Sequence, residues 1–175
     1  STLKKISSFA FSNCRYLKQV TLPEGLEELG FYALSDTAIE EINFPRSLRY
    51  IDDSVFRGTP FLKRIKDDRF VILGERFLYG YNGYDDTVEI PDGVEVICSC
   101  AFDSREKDKD YYYVTPKKII LPDSVKQIDG CAFRYQYGLR EINLRADMDI
   151  SATAFDKSGY EESFKAFLAA KGEKK

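Results

Sequence analysis

Six apolar residues recur along the chain at nearly constant spacing. Val20, Ile42, Ile65, Val88, Ile119 and Ile142 are separated by 22, 23, 23, 31 and 23 residues, and the long interval is the common 23 with 8 residues inserted. A fixed period of this length predicts coils stacked into a solenoid. One coil cannot bury both faces of its apolar set, whereas stacked coils cover one another. Four of these rungs continue into an apolar residue and a proline, in Val20-Thr-Leu22-Pro23, Ile42-Asn-Phe44-Pro45, Val88-Glu-Ile90-Pro91 and Ile119-Ile-Leu121-Pro122. Alternation with β-branched content marks the rung as a short strand, and Pro-Glu-Gly-Leu, Pro-Arg-Ser-Leu, Pro-Asp-Gly-Val and Pro-Asp-Ser-Val after it are turns.

A second block precedes each rung: Leu3-x-x-Ile6, Leu26-x-x-Leu29, Leu48-x-x-Ile51, Val94-x-x-Ile97 and Val125-x-x-Ile128. Four residues beyond its last apolar member comes a small residue followed by a large one: Ala10-Phe11, Ala33-Leu34, Val55-Phe56, Ala101-Phe102, Ala132-Phe133 and, after Ile150, Ala154-Phe155. The small member lets neighbouring coils approach while the large one fills the core. Leu17, Ile39, Leu62 and Leu139 add a further anchor three residues before the rung.

Written out completely from Leu3 to Pro23, this pattern resembles the BspA-type leucine-rich repeat, a class named for a bacterial surface antigen. The resemblance covers about residues 3–68 and 86–155. It implies a leucine-rich-repeat solenoid of the α/β repeat class with short strands dominating, a curved right-handed coil stack used for binding. It further implies an extracellular or cell-surface location in host-associated bacteria, and no catalytic residues.

The pattern predicts a solenoid over residues 1–157, interrupted twice, and a C-terminal helix and tail over 158–175. Asp67 stands where Leu22 and its equivalents should be, and no Ala-Phe pair follows in the next stretch. Instead Arg69 to Tyr81 reads as two strands around Gly74-Glu75, a hairpin insertion over about 69–85. The second interruption, about 103–117, is a charged loop followed by Tyr111, Tyr112 and Tyr113. Ser158-Gly-Tyr-Glu161 has the form of a capping box, with Phe164, Phe167 and Leu168 at helical spacing and Gly172 as the stop. No comparable cap precedes Leu3, so the first coil reads as open and able to make an end-to-end contact. Ser1 falls inside a repeat, and the chain reads as an excised or processed piece.

Composition narrows the function classes. With 26 basic and 29 acidic residues, a net charge of −3 and no long like-charge run, nothing attracts a nucleic-acid backbone. No apolar run approaches the length that inserts into a bilayer. There is no histidine, so the commonest general base is absent. Cys14, Cys98, Cys100 and Cys131 form no C-x-x-C pair, and neither a metal nor another cofactor is expected. Cys100 and Cys131 occupy equivalent places in consecutive repeats and are either two half-buried thiols or a disulfide. Asp85-Asp86 and Glu161-Glu162 are adjacent acids whose side chains should diverge rather than serve a glycosidase. Glu106, Asp108 and Asp110 lack the glycine and closing glutamate of a calcium loop. The chain is not expected to be an enzyme.

Two sets of residues are candidates for binding a protein or glycan. The first flanks the rung residues: Gln19 and Thr21, Glu41 and Asn43, Arg64 and Lys66, Thr87 and Glu89, Lys118 and Ile120, Glu141 and Asn143, with Glu41, Arg64, Lys118 and Glu141 the charged candidates of mixed sign. The second is the tyrosines of the insertions, Tyr79, Tyr81, Tyr84, Tyr111, Tyr112 and Tyr113, because a rigid ring with a polar tip suits an interface. The competing expectation is that the hairpin tyrosines pack over Tyr50 and Val96. At the level of function the alternative to a recognition module is a structural spacer supporting another domain.

Overall fold

The structure, a computed structural model, describes residues 3–102 and 115–172. The predicted solenoid is present, and it is built as two blocks of coils. The first contains β1 (Lys5–Ile6), β2 (Gln19–Val20), β3 (Glu28–Leu29), β4 (Glu41–Ile42) and β5 (Tyr50–Ile51), and ends in a short helix, α1 (Pro60–Ile65). A hairpin, β6 (Phe70–Leu73) and β7 (Phe77–Tyr81), leads into the second. That block runs through β8 (Thr87–Glu89), β9 (Val96–Ile97), β10 (Lys118–Ile120), β11 (Gln127–Ile128), β12 (Glu141–Ile142) and β13 (Asp149–Ile150) to α2 (Glu161–Lys171).

Each full coil contributes two strands. The rung strands pair in parallel with Val20 beside Ile42, and with Val88, Ile119 and Ile142 in line. The upstream blocks, expected only to supply core residues, are strands too. Ile6, Leu29 and Ile51 align in one parallel sheet, and Leu78, Ile97, Ile128 and Ile150 in another. The rung face is therefore two separate sheets, β2–β4 and β8–β10–β12, rather than one continuous surface.

Two expectations need correction. The rung expected at Ile65 is helical, because Thr59-Pro60 is a helix start. Thr59 Oγ1 accepts from Leu62 N–H at 3.1 Å, and proline at the first turn has no N–H to leave unpaired. Arg64 and Lys66 consequently lie on no sheet face. The box expected at Ser158 is displaced. The helix starts after Tyr160, which makes no side-chain cap, while Ser158 Oγ accepts from Tyr160 N–H at 3.2 Å and the Glu161 carboxylate accepts from Lys157 N–H at 2.9 Å. Gly172 stops the helix as expected, in the left-handed conformation at φ 77.

The hairpin is part of the stack. β7 pairs in parallel with β9, Phe77 beside Val96 and Leu78 beside Ile97, and so supplies the upstream strand of its coil. Between β6 and β7 the register shifts. Val71 lies opposite Gly80 and Ile72 opposite Leu78, which leaves Tyr79 as an extra residue. This bulge reverses the alternation of β7. Phe77 and Tyr79 pack toward the core of the first block, Leu78 and Tyr81 toward that of the second.

Tyr81 thereby takes the large position of the missing small-large pair, with Gly80 as the small one. Its N–H bonds Ala101 O at 2.9 Å, as Phe102 N–H bonds Ala132 O and Phe133 N–H bonds Ala154 O. The rings of Tyr81, Phe102, Phe133, Phe155 and Phe164 follow one another at 4.9, 4.9, 5.0 and 4.6 Å, a ladder closed by α2.

Candidate functional site

Side chains that look available on the rung faces are partly used by the fold. Asn143 Nδ2 donates to Leu121 O at 2.9 Å and its Oδ1 accepts from Leu121 N–H at 2.7 Å, tying one coil to the previous one. Asn43 makes the same pair of bonds, both 2.8 Å, to Leu22. Charges pair across coils as well: Lys118 with Glu141 at 3.0 Å, Lys117 with Asp86 at 2.8 Å and Lys5 with Glu28 at 2.7 Å. Balanced signs in the sequence are therefore matched neighbours in space, and solvent screening keeps each such exposed pair weak.

Above β10 and β12 lies an open groove of about 670 Å³, bordered by Lys118, Ile120, Arg140, Glu141, Tyr160 and Ser163. Arg140 is held in place because Nη1 donates to Tyr137 O at 2.7 Å and to Leu139 O at 2.9 Å. Tyr160 rests its ring against Phe155 at 5.3 Å, and its partial burial holds the phenol pKa above the ordinary value. The wall thus offers two cations, one carboxylate, hydroxyls and an apolar floor. A surface of this kind can hold a polar ligand by charge and hydrogen bonds. Among the described residues no cluster of three Cys, Asp or Glu side chains could hold a metal ion.

Of the sequence candidates, Lys118 and Glu141 meet in this groove. Glu41 is exposed on β4, in register with Gln19 on the other rung sheet. Arg64 lies in α1 and donates to the Glu40 carbonyl. Tyr79 and Tyr81 do not form a surface patch. The Tyr79 phenol is enclosed against the first core, accepts from Phe56 N–H at 3.5 Å, and has its pKa pushed far up by burial. Tyr81 is 5% exposed, and its hydroxyl donates to Asp85 Oδ2 at 2.8 Å. Tyr84 is open to solvent. Tyr111, Tyr112 and Tyr113 lie outside the described residues, as does the acidic stretch 103–110. Val96 is covered by the first block, and the Tyr50 hydroxyl meets Ser99 Oγ at 3.0 Å. Asp85 and Asp86 diverge, Asp85 pairing with Arg69 at 2.8 Å and Asp86 with Lys117, whereas Glu161 and Glu162 both reach Lys165 Nζ, at 3.0 and 2.6 Å. Cys100 and Cys131 are not joined in a disulfide.

Sequence reasoning missed Arg140, Tyr160 and Ser163, which come from outside the rung strands. It also missed an exposed aromatic trio on the first two coils. Phe31 meets the Phe9 ring edge-on at 5.6 Å and the Tyr32 ring at 4.3 Å, and Phe9 stacks on Tyr32 at 5.5 Å. Phe9 and Tyr32 sit at φ 61 and 56, left-handed conformations uncommon for bulky residues.

A family model described as BspA type leucine rich repeat region, in 6 copies, matches residues 1–109 and 106–165. Similar solved structures include a leucine-rich repeat protein from Bacteroides ovatus, 24% identical over 89% of this chain and 33% of that one, TM-score 0.35. The pneumococcal vaccine antigen PcpA is 20% identical over 85% of this chain and 44% of its own, TM-score 0.37. A leucine rich cell surface protein from Faecalibacterium prausnitzii is 21% identical, covering 81% and 45%, TM-score 0.39. The chain spans between a third and under half of the length of these proteins. Comparison with curated proteins gives no match.

Proposed function

The chain belongs to the BspA-type leucine-rich repeat family, and from that premise we propose that it is a non-catalytic recognition module of a surface or secreted protein, holding a protein or glycan. The groove over β10 and β12 carries this reading, because it gathers cationic, anionic and hydroxyl groups on a backbone fixed by coil stacking. Preorganised polar groups of both signs give specificity with little ordering cost. The repeats supply the rigidity, and the groove supplies the chemistry.

The test is capture on parallel arrays of extracellular-matrix proteins and glycans, comparing the wild type with Lys118→Glu and with the Tyr111, Tyr112, Tyr113 triple alanine variant. Saturable binding lost at least about tenfold in Lys118→Glu, with unchanged thermal stability, supports the groove. Loss only in the triple variant moves recognition to the 103–117 insertion. Capture of nothing by the wild type favours the spacer, repeats that hold a neighbouring domain away from a surface.

A further inference from the structure

The first block rests its last coil on the outer face of the sheet β7–β9–β11. On one side this joint is apolar: Val96 and Cys98, 5% and 0% exposed, belong to the same cluster as Leu48, Ile51 and Val55. One strand over, Gln127 occupies the register position of Val96 and the joint becomes polar. Gln127 Nε2 donates across it to Arg49 O at 3.1 Å and, on its own strand side, to Asp129 Oδ1 at 2.7 Å.

Asp129 is 5% exposed, and its Oδ2 has no hydrogen-bond partner. An ionised carboxylate in such a place is costly, whereas a neutral acid is tolerated. The groups around it do not offset the charge. Asp149 faces it from β13 and Asp52 from the turn after β5, both acidic. Tyr50 on β5, bonded to Ser99, and the enclosed Cys98 thiol also feel its field, and neither is cationic. The basic groups nearby act on other members, Lys5 on Asp52 and Arg76 on Cys98. Burial above all, then the charges of Asp149 and Asp52, push the Asp129 carboxyl from 3.8 to about 7, against the bond from Gln127, which lowers it.

We propose that Asp129 is a proton-operated latch on the joint between the two blocks: protonated, it closes the joint, and ionised, it loosens it. The sign follows from linkage. An acid whose folded pKa lies above its unfolded one binds more protons when folded. Its contribution is therefore complete below about 4, is lost as pH rises toward about 7, and stays lost above that. Across this window the folding equilibrium falls by up to about tenfold per pH unit.

Asp129→Asn keeps an acceptor for Gln127 and carries no charge, so it mimics the closed latch. Thermal unfolding from about pH 4 to about pH 8 should show the wild type losing stability up to about pH 7 and levelling off above it, while Asp129→Asn stays flat. Opening is read directly from Cys98, which is enclosed at the joint, by its alkylation with a neutral maleimide relative to exposed Cys14 in the same molecule. That ratio should rise several-fold with pH in the wild type and remain constant in the variant. Identical pH profiles for the two proteins, in either measurement, overturn the proposal. If the variant does not fold, the carbon-13 titration of the Asp129 carboxyl in the wild type decides instead, and a midpoint below about 5 overturns it.

Discussion

Asn43 and Asn143 perform the same task in different blocks, and neither task is visible in the spacing. Both follow a rung isoleucine, where alternation predicts a side chain turned to solvent, and both turn back to complete the backbone pairing of the coil before. Asn143→Ala should cost about 1–3 kcal/mol, since it leaves the Leu121 amide and carbonyl short of partners. Thr21→Ala, at the same register position, should stay within about 0.5 kcal/mol in urea denaturation. Arg145 acts in a related way, donating to the carbonyls of Pro122, Asp123 and Val125 at 3.2, 3.2 and 2.5 Å, as Arg76 does to Pro45 and Leu48. The core was easier to read. Phe133 is the large member of its pair and is fully enclosed between Phe102 and Phe155. Phe133→Ala should destabilise by about 3–5 kcal/mol, measured by denaturant midpoint, because ladder neighbours cannot collapse into the gap without breaking register. Apolar spacing shows which residues are inside, except on the first coil, where Leu3 and Phe11 fit the pattern and are exposed at 46% and 41% because no preceding coil covers them. It is blind to a polar side chain that bonds to a neighbouring coil.

At the scale of elements, the two departures from period have different causes. Leu62 and Ile65 match the rung spacing, yet Thr59-Pro60 overrides it by starting α1. A local capping signal won over periodicity because three residues separate the two apolar positions in either conformation. Thr59 is fully enclosed, accepting from Leu62 and donating to Phe56 O at 2.7 Å. Thr59→Ala should therefore cost about 1–2 kcal/mol. The hairpin was legible from Gly74 and its flanking strands, but its membership in the stack depends on the single extra residue at Tyr79. Deleting Tyr79 should restore simple alternation with Tyr81 still opposite Phe70 and facing the second core, so what is lost is the Tyr79 ring packed against Phe56 in the first. The expected result is a loss of about 3–5 kcal/mol read from the denaturant midpoint, whereas Tyr79→Phe, which keeps both the bulge and the ring, should remain folded. Gly74 cannot be replaced either: at φ 53, an added Cβ would come within 2.6 Å of Phe44 Cβ. The groove escaped the sequence for another reason. Lys118 and Glu141 lie on the repeat, but Arg140, Tyr160 and Ser163 reach it from the coil corner and the closing helix, at spacings no period predicts.

For the whole molecule, the period predicts one continuous stack, and the structure divides it. The first block presses its end on the outer face of the second sheet, so Val96 and Cys98, which point away from their own coil, are buried as deeply as core residues. Nothing in the local sequence around Val96 distinguishes it from its register partner Gln127 except its apolarity. Val96→Asp should place a charge in that contact and uncouple the halves. Calorimetry should then resolve two transitions where the wild type shows one, because repeat stacks lose cooperativity where an interface between neighbours is broken. Each half also finishes in a helix three or more residues beyond its last small-large pair, α1 after Val55-Phe56 and α2 after Ala154-Phe155. A terminator inside the chain restricts how such a molecule can lengthen by tandem duplication. A copied repeat has a parallel edge to join only upstream of α1 or between β8 and β13; a copy placed directly after either helix meets no matching strand. Duplicating residues 26–47 should extend the first sheet and leave the joint untouched, so added length is accommodated at particular seams rather than anywhere along the chain.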